Sequence, residues 1–254
     1  MVRNIILGIS ALLVLLSSCS RRQYCLDSVQ RERLLVDERY DVAQDASVEK
    51  FIAPYRHVVD SMMSPVVGQT ARYLSASRPE SALSNLLADI LVWGSARYNE
   101  SPHFAVYNMG GIRAAFAEGD VRVGDVVDVA PFENKICFLT LSGTDVLELF
   151  SQIASVGGEA VSKGVELEID KKGRLISARI HGKPVSPDAA YRVATIDYLA
   201  QGNDKMEAFK RGTNVNAPSG ESNNVRYVIM DYFREKASEG KKVDAAVEGR
   251  IRIL

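Results

Sequence analysis

Apolar residues recur at spacings of three and four in four stretches of the chain, which is the signature of helices with one buried face. Val48, Phe51, Ile52, Tyr55, Val58, Val59 and Met62 predict a helix over 47–63, with Ser47 as its cap and Pro54 awkward in its interior. Leu83, Leu86, Leu87, Ile90 and Leu91 predict a second over 81–98. Val146, Leu149, Phe150 and Ile153 predict a third over 144–154, and a last helix covers 223–237. Strand-like runs fill 66–74, 104–107, 135–141, 165–170, 175–181, 191–196 and 247–253. Gly143 ends the third run, and Lys171-Lys172-Gly173 reads as a hairpin turn. Val126–Ala130 is a short apolar run of unassigned type. Helices first and antiparallel-looking strands later point to an α+β domain over 46–254, a mixed β-sheet core packed with helices.

The N-terminus reads as an address. Residues 1–18 carry one charge, Arg3, followed by an apolar run from Ile5 to Leu16 and then small residues. This is a secretory signal pattern and takes no part in the fold. Leu16-Ser17-Ser18-Cys19 resembles the bacterial lipobox, in which the cysteine becomes the lipidated first residue of the exported chain. A plain signal peptide with a cysteine near its cleavage site is the alternative. On the lipobox reading Cys19 carries the lipid, and residues 19–45 form a polar tether with one strand near 33–36. The protein is then exported and held at a membrane surface, on the periplasmic side of the envelope, without a spanning helix. Cys25 and Cys137 could pair in an exported chain. A free buried thiol suits Cys137 better, because it lies inside a strand-like apolar run.

Charge and composition narrow the chemistry. Thirty-one Lys and Arg against 32 Asp and Glu leave a net charge of −1, which argues against nucleic-acid binding by blanket phosphate neutralisation. Three histidines and three cysteines make a multi-histidine metal centre hard to build from this chain alone. His57, His103 and His181 sit in no HxH or HExxH arrangement, and neither a GxSxG motif nor a P-loop occurs.

Three segments could carry binding chemistry. Asn108-Met109-Gly110-Gly111-Ile112-Arg113 follows a strand, so its glycines let backbone N–H groups approach a ligand and Arg113 can pair with an anion. A tight turn with a surface arginine is the plainer reading. Phe132, in Pro131-Phe132-Glu133-Asn134, is either core or a platform for a flat ligand. Asp197–Asp204 leaves a strand with a second aromatic face, Tyr198, and an acceptor, Asp204, in turn chemistry that is weak evidence alone.

Taken in order, these segments together with Ser84–Asp89, Leu141-Ser142-Gly143, Tyr191–Thr195 and Glu248-Gly249-Arg250-Ile251 resemble the C-terminal domain of the 5′-nucleotidase and UDP-sugar hydrolase family over roughly 40–254. The resemblance implies a domain that binds the nucleoside part of a substrate. Phe132 and Tyr198 would clamp the base, Asn108 would touch it, and Gly164 would lie against it. Gly110 and Gly111 would belong to the binding loop, Asp204 would hold the ribose hydroxyls and Arg113 would face the sugar–phosphate side. Arg78 stands near the place of a further family arginine. Two departures stand out: Met109 replaces a glycine, and Gly202-Asn203-Asp204-Lys205-Met206 lacks glycines of the family turn. The family's dimetal centre and catalytic Asp-His pair lie in a metallophosphatase domain of which nothing is visible here. The chain is therefore expected to hold no cofactor and to be inactive alone. With a leader at its start it is expected to be a whole gene product, completed by a metallophosphatase chain in trans. A free-standing nucleotide-binding lipoprotein, or a structural one that has lost its ligand, are the alternatives.

Overall fold

The computed structural model describes residue 24 and residues 26–35, 37–40 and 45–254. The leader, the lipobox with Cys19, and Cys25 lie outside the described residues. The chain divides into two units, one ending at Phe51 and a second, compact one covering Ile52–Leu254. In the first, residues 26–35 form no regular structure, so the strand expected near 33–36 is not found among the described residues. A single 3-10 turn, Glu38–Tyr40, follows.

Helix α1 spans Ala46–Met63 and runs on through Pro54. Asp45, not Ser47, caps it: Asp45 Oδ1 accepts from the Ser47 amide at 2.8 Å and from its hydroxyl at 2.6 Å. A carboxylate one residue before the helix suits both the free amides and the helix dipole. Strand β1 is Val66–Thr70, α2 Ala82–Gly94, β2 Phe104–Tyr107, β3 Gly119–Arg122 and α3 Val123–Val129. There follow β4 Ile136–Ser142, α4 Gly143–Ser155, β5 Ala160–Val161, β6 Val165–Ile169, β7 Leu175–Ile180, β8 Lys183–Pro184 and β9 Ala190–Ile196. The chain ends with α5 Asp197–Ala200, β10 Thr213–Asn216, α6 Val225–Ser238 and β11 Ile251–Ile253.

The strands form a five-stranded sheet in the order β10-β4-β9-β2-β5, a four-stranded sheet β11-β6-β7-β8 and a β1-β3 pair. All four residues of β2 are buried, as are Val193–Ile196 of β9, so the middle of the larger sheet is covered on both faces. Helix α2 lies over β2 and β5 and against α6, while α4 lies over β4 and β7. The α2 start is fixed by a capping box in which Ser81 and Ser84 exchange side-chain bonds to each other's backbone N–H. Gly143, expected only to end a strand, is the first residue of α4. A Cβ there would sit 1.8 Å from the Ser186 carbonyl oxygen, so it is close backbone approach that demands glycine.

The α+β class holds, with more parallel pairing than the sequence suggested: β2 runs parallel to β9, and β11 parallel to β6. The C-terminal strand is shorter than expected. The apolar run at 126–130 belongs to helix α3 instead of standing alone. Cys137 is a free, buried thiol on β4. None of the described helices is long and apolar enough to cross a membrane.

Candidate functional site

Topology brings three distant loops to one end of the larger sheet. Strands β2 and β9 are parallel, so the chain leaves both at the same end, at Asn108 and at Asp197. Strand β4 is antiparallel to β9, with Ile136 opposite Ile196, so the loop that enters β4 arrives at that end too. Asn108, Gly110, Phe132, Asn134, Tyr198 and Asp204 line one open cavity of about 180 Å³ there. That is below the ~300–1,000 Å³ of a site enclosing a whole drug-sized ligand. It suits one flat ring between walls, with the rest of a ligand outside.

Phe132 is 49% exposed and Tyr198 36% exposed. Phe132 is therefore not a core residue. Its loop is tied down by the start of α6. The Arg226 guanidinium donates to the Pro131 carbonyl at 2.7 Å, and the Val225 amide donates to the Asn134 carbonyl at 2.9 Å. Tyr198 is anchored to the same region. Asp197 Oδ1 accepts from the Tyr198 amide at 2.9 Å and from the Lys135 amide at 3.1 Å. The two aromatic walls thus share one carboxylate link between their loops.

Asp204, which also lines the cavity, is held by two donors. The Tyr198 hydroxyl donates to its Oδ1 at 3.0 Å, and Asn108 Nδ2 donates to its Oδ2 at 2.9 Å. The bond to Asp204 is the first cause raising the Tyr198 hydroxyl above its ordinary pKa, because the phenol proton is stabilised by the carboxylate. Asp204 and Lys205 both have left-handed backbone, at φ 54° and 67°. Lys205 stands where the family turn has glycine, so the turn retains a glycine-like backbone without the glycine. Asn203 steadies it by donating from Nδ2 to the Tyr198 carbonyl at 2.8 Å.

The glycine motif forms the floor. Asn108 is only 4% exposed, and a Cβ on Gly111 would lie 2.4 Å from its Oδ1. Glycine at 111 is what lets the Asn108 amide lie flat and face Asp204. Below it lies Glu159, 2% exposed, which accepts from the Met109 amide and pairs with the Arg78 guanidinium. Burial is the first cause pushing the Glu159 carboxyl above the usual carboxylate range, against the opposing bonds from Met109 and Arg78. Arg78 also donates to the Gly158 carbonyl at 2.7 Å. Glu159 and its grip on the motif are not legible from sequence, because an isolated Glu before a two-residue strand carries no pattern.

Arg113 is exposed and does not line the cavity itself; its Nη1 lies 3.4 Å from the carbonyl oxygen of Gly110, which does. Gly164 lies elsewhere. Strand β5 is antiparallel to β2, pairing Tyr107 with Ala160 and Val106 with Val161, so the chain beyond β5 runs towards the start of β2. Gly164 ends up against His181, whose ring bonds the His103 carbonyl at 2.9 Å, at the opposite end of the sheet from the cleft. The structure therefore does not bring Gly164 to the place the resemblance implied. Among the described residues no three His, Cys, Asp or Glu side chains gather into a metal-binding group. The donor set of the described residues does not fit a dimetal centre.

A sequence profile of the 5′-nucleotidase C-terminal domain matches residues 66–211. The chain is 28% identical over 168 residues to protein UshA of Yersinia enterocolitica, spanning 65% of this chain and 30% of that protein. It is 29% identical over 239 residues to the trifunctional nucleotide phosphoesterase protein YfkN of Bacillus subtilis, spanning 86% of this chain and 16% of that one. Among solved structures, a 5′-nucleotidase precursor from Thermus thermophilus superimposes with a TM-score of 0.70 at 26% identity, over 82% of this chain and 43% of its own. The chain thus spans less than a third of these two curated relatives.

Proposed function

Since this chain belongs to the 5′-nucleotidase C-terminal-domain family, we propose that its cleft recognises the nucleoside part of a nucleotide. One observation carries the reading: two half-exposed aromatic rings from separate loops line one cleft together with a carboxylate fixed by two hydrogen bonds. A base stacks between Phe132 and Tyr198, with the edges of the rings leaving room for its substituents. Asp204 accepts from sugar hydroxyls, and Arg113 faces the phosphate side. Asn108 acts first on Asp204, since the described geometry has its Nδ2 already donating there. Calorimetric titration with adenosine and AMP tests the reading. Absence of binding at millimolar concentration, across several nucleosides and nucleotides, would leave only a structural role for the domain.

Hydrolysis of the phosphate ester falls, on this proposal, to a metallophosphatase chain acting in trans. The support is chemical: the described residues offer no set of ligands for a catalytic metal pair. The purified chain is therefore expected to leave AMP and UDP-glucose unhydrolysed with Mn²⁺, Co²⁺ or Zn²⁺ added. A turnover that survives purification and disappears on substituting residues of this chain would sink the idea.

We also propose export and lipid anchoring through Cys19, in the sequence Leu16-Ser17-Ser18-Cys19. Cys19→Ala is expected to shift the protein from the detergent phase to the aqueous phase, or to leave it unprocessed. A processed Cys19→Ala protein that still partitions into detergent would exclude this anchor.

A further inference from the structure

We infer that the Tyr198 hydroxyl is a positioning group that sets the cleft's selectivity for a ligand with a vicinal diol. The inference rests on the nucleoside reading of the cleft and assigns a role to one oxygen atom within it. A tyrosine is not needed to stack on a base, since the ring alone does that. Here the hydroxyl is used: it donates to Asp204 Oδ1 at 3.0 Å. Asn108 Nδ2, which comes from another strand exit, donates to Oδ2 at 2.9 Å. Each oxygen of the carboxylate is thus held by one neutral donor.

The consequence follows from lone-pair arithmetic. An ionised carboxylate has about four acceptor positions, two on each oxygen. With one position on each oxygen taken, one remains on each, and the carboxylate plane can no longer rotate about its terminal bond. Two parallel acceptors in a fixed plane match two adjacent hydroxyl donors, much as a carboxylate matches the paired donors of a guanidinium. The turn that carries Asp204 reinforces this, since its left-handed φ of 54° leaves the backbone little choice of direction. Because the Tyr198 hydroxyl lies at the far edge of the ring, the carboxylate it holds stands at the perimeter of the stacking face. That is where the sugar leaves a stacked base. Phenylalanine at 198 would preserve the ring and lose only the orientation of Asp204 about Oδ1.

The test compares adenosine with 2′,3′-dideoxyadenosine, which presents the same base without the diol, by calorimetric titration of the wild-type chain and of Tyr198→Phe. Tyr198→Phe is expected to weaken adenosine about five- to tenfold, the scale of one ordinary hydrogen bond. The dideoxy ligand should change by less than about twofold, the scale of no lost bond. Asp204→Asn, which keeps shape and removes the charge, should erase the preference for adenosine over the dideoxy ligand. Thermal melts of each variant establish that it is folded. If Tyr198→Phe weakens both ligands equally, or neither, the positioning role is overturned while the clamp stands. If Asp204→Asn leaves the preference intact, the diol is read elsewhere and the inference is equally overturned. A wild-type chain that binds neither ligand overturns the cleft reading and this inference together, so the two failures remain distinguishable.

Discussion

Truncating Arg250 to alanine is expected to remove about 3–5 kcal/mol of folding stability, the range for breaking a buried ion pair from one side. The guanidinium is 5% exposed and fully engaged. It donates to both oxygens of Asp89 at 2.8 and 2.7 Å, to Glu248 Oε2 at 2.8 Å and to the Val161 carbonyl at 2.8 Å. Those bonds join α2, β5 and the segment that enters β11. Alanine would leave a cavity and strand two carboxylates. Asp89 and Glu248 are partly exposed and can hydrate, which pulls the expectation to the lower end of the range. Lysine would keep the charge but lose the fork that reaches three partners, so Arg250→Lys should recover only part of the loss. Urea unfolding measures this directly. A midpoint for Arg250→Ala within error of wild type, at equal slope, would show that the cluster contributes nothing net. No member of the cluster lines the cleft, so nucleoside affinity in the folded fraction should not change.

The opposite pattern is expected at the clamp. Phe132→Ala and Tyr198→Ala should each cost about 1–3 kcal/mol of nucleoside affinity, the range for a base stacked on an aromatic ring. Their effect on stability should stay below about 1 kcal/mol, as for exposed positions. Phe138 and Phe150, fully buried in the same molecule, supply the contrast, since truncating a core phenylalanine costs about 3–5 kcal/mol of stability. Titration beside a denaturant melt separates the two kinds of phenylalanine. If Phe132→Ala destabilises the fold as a core substitution does and leaves affinity unchanged, the stacking role is wrong.

The helices are legible in the sequence because their apolar faces repeat with the helical period, and α2 and α4 fall within a few residues of expectation. Short strands such as β3, β5 and β10 are not. Two to four residues give no period, and their pairing is decided by neighbours distant in sequence. The site divides in the same way. Asn108, Phe132, Tyr198 and Asp204 stand in segments with distinctive composition, and the strand order carries all four to one end of the sheet. Gly164 shows the limit. Its expected place rests on a matched residue type, whereas the direction of β5 decides which end of the sheet it reaches. Glu159 and Arg226 escape sequence reasoning because their parts are supporting ones, bonding backbone atoms of loops far away in the chain. Asn134 lies inside a distinctive motif without an expected role, and it lines the cleft.

Cys137 has a use that follows from its position alone. It lies on β4, between β10 and β9 of the larger sheet, and burial is the first cause pushing its thiol up to about 11. At neutral pH only about one in ten thousand such groups is a thiolate, and none of it meets solvent while the sheet is closed. An alkylating reagent can reach this sulfur only when the packing that covers β4 opens. The labelling rate under native conditions therefore counts such opening events, and its dependence on urea would show whether the packing opens in part or only as the whole domain unfolds.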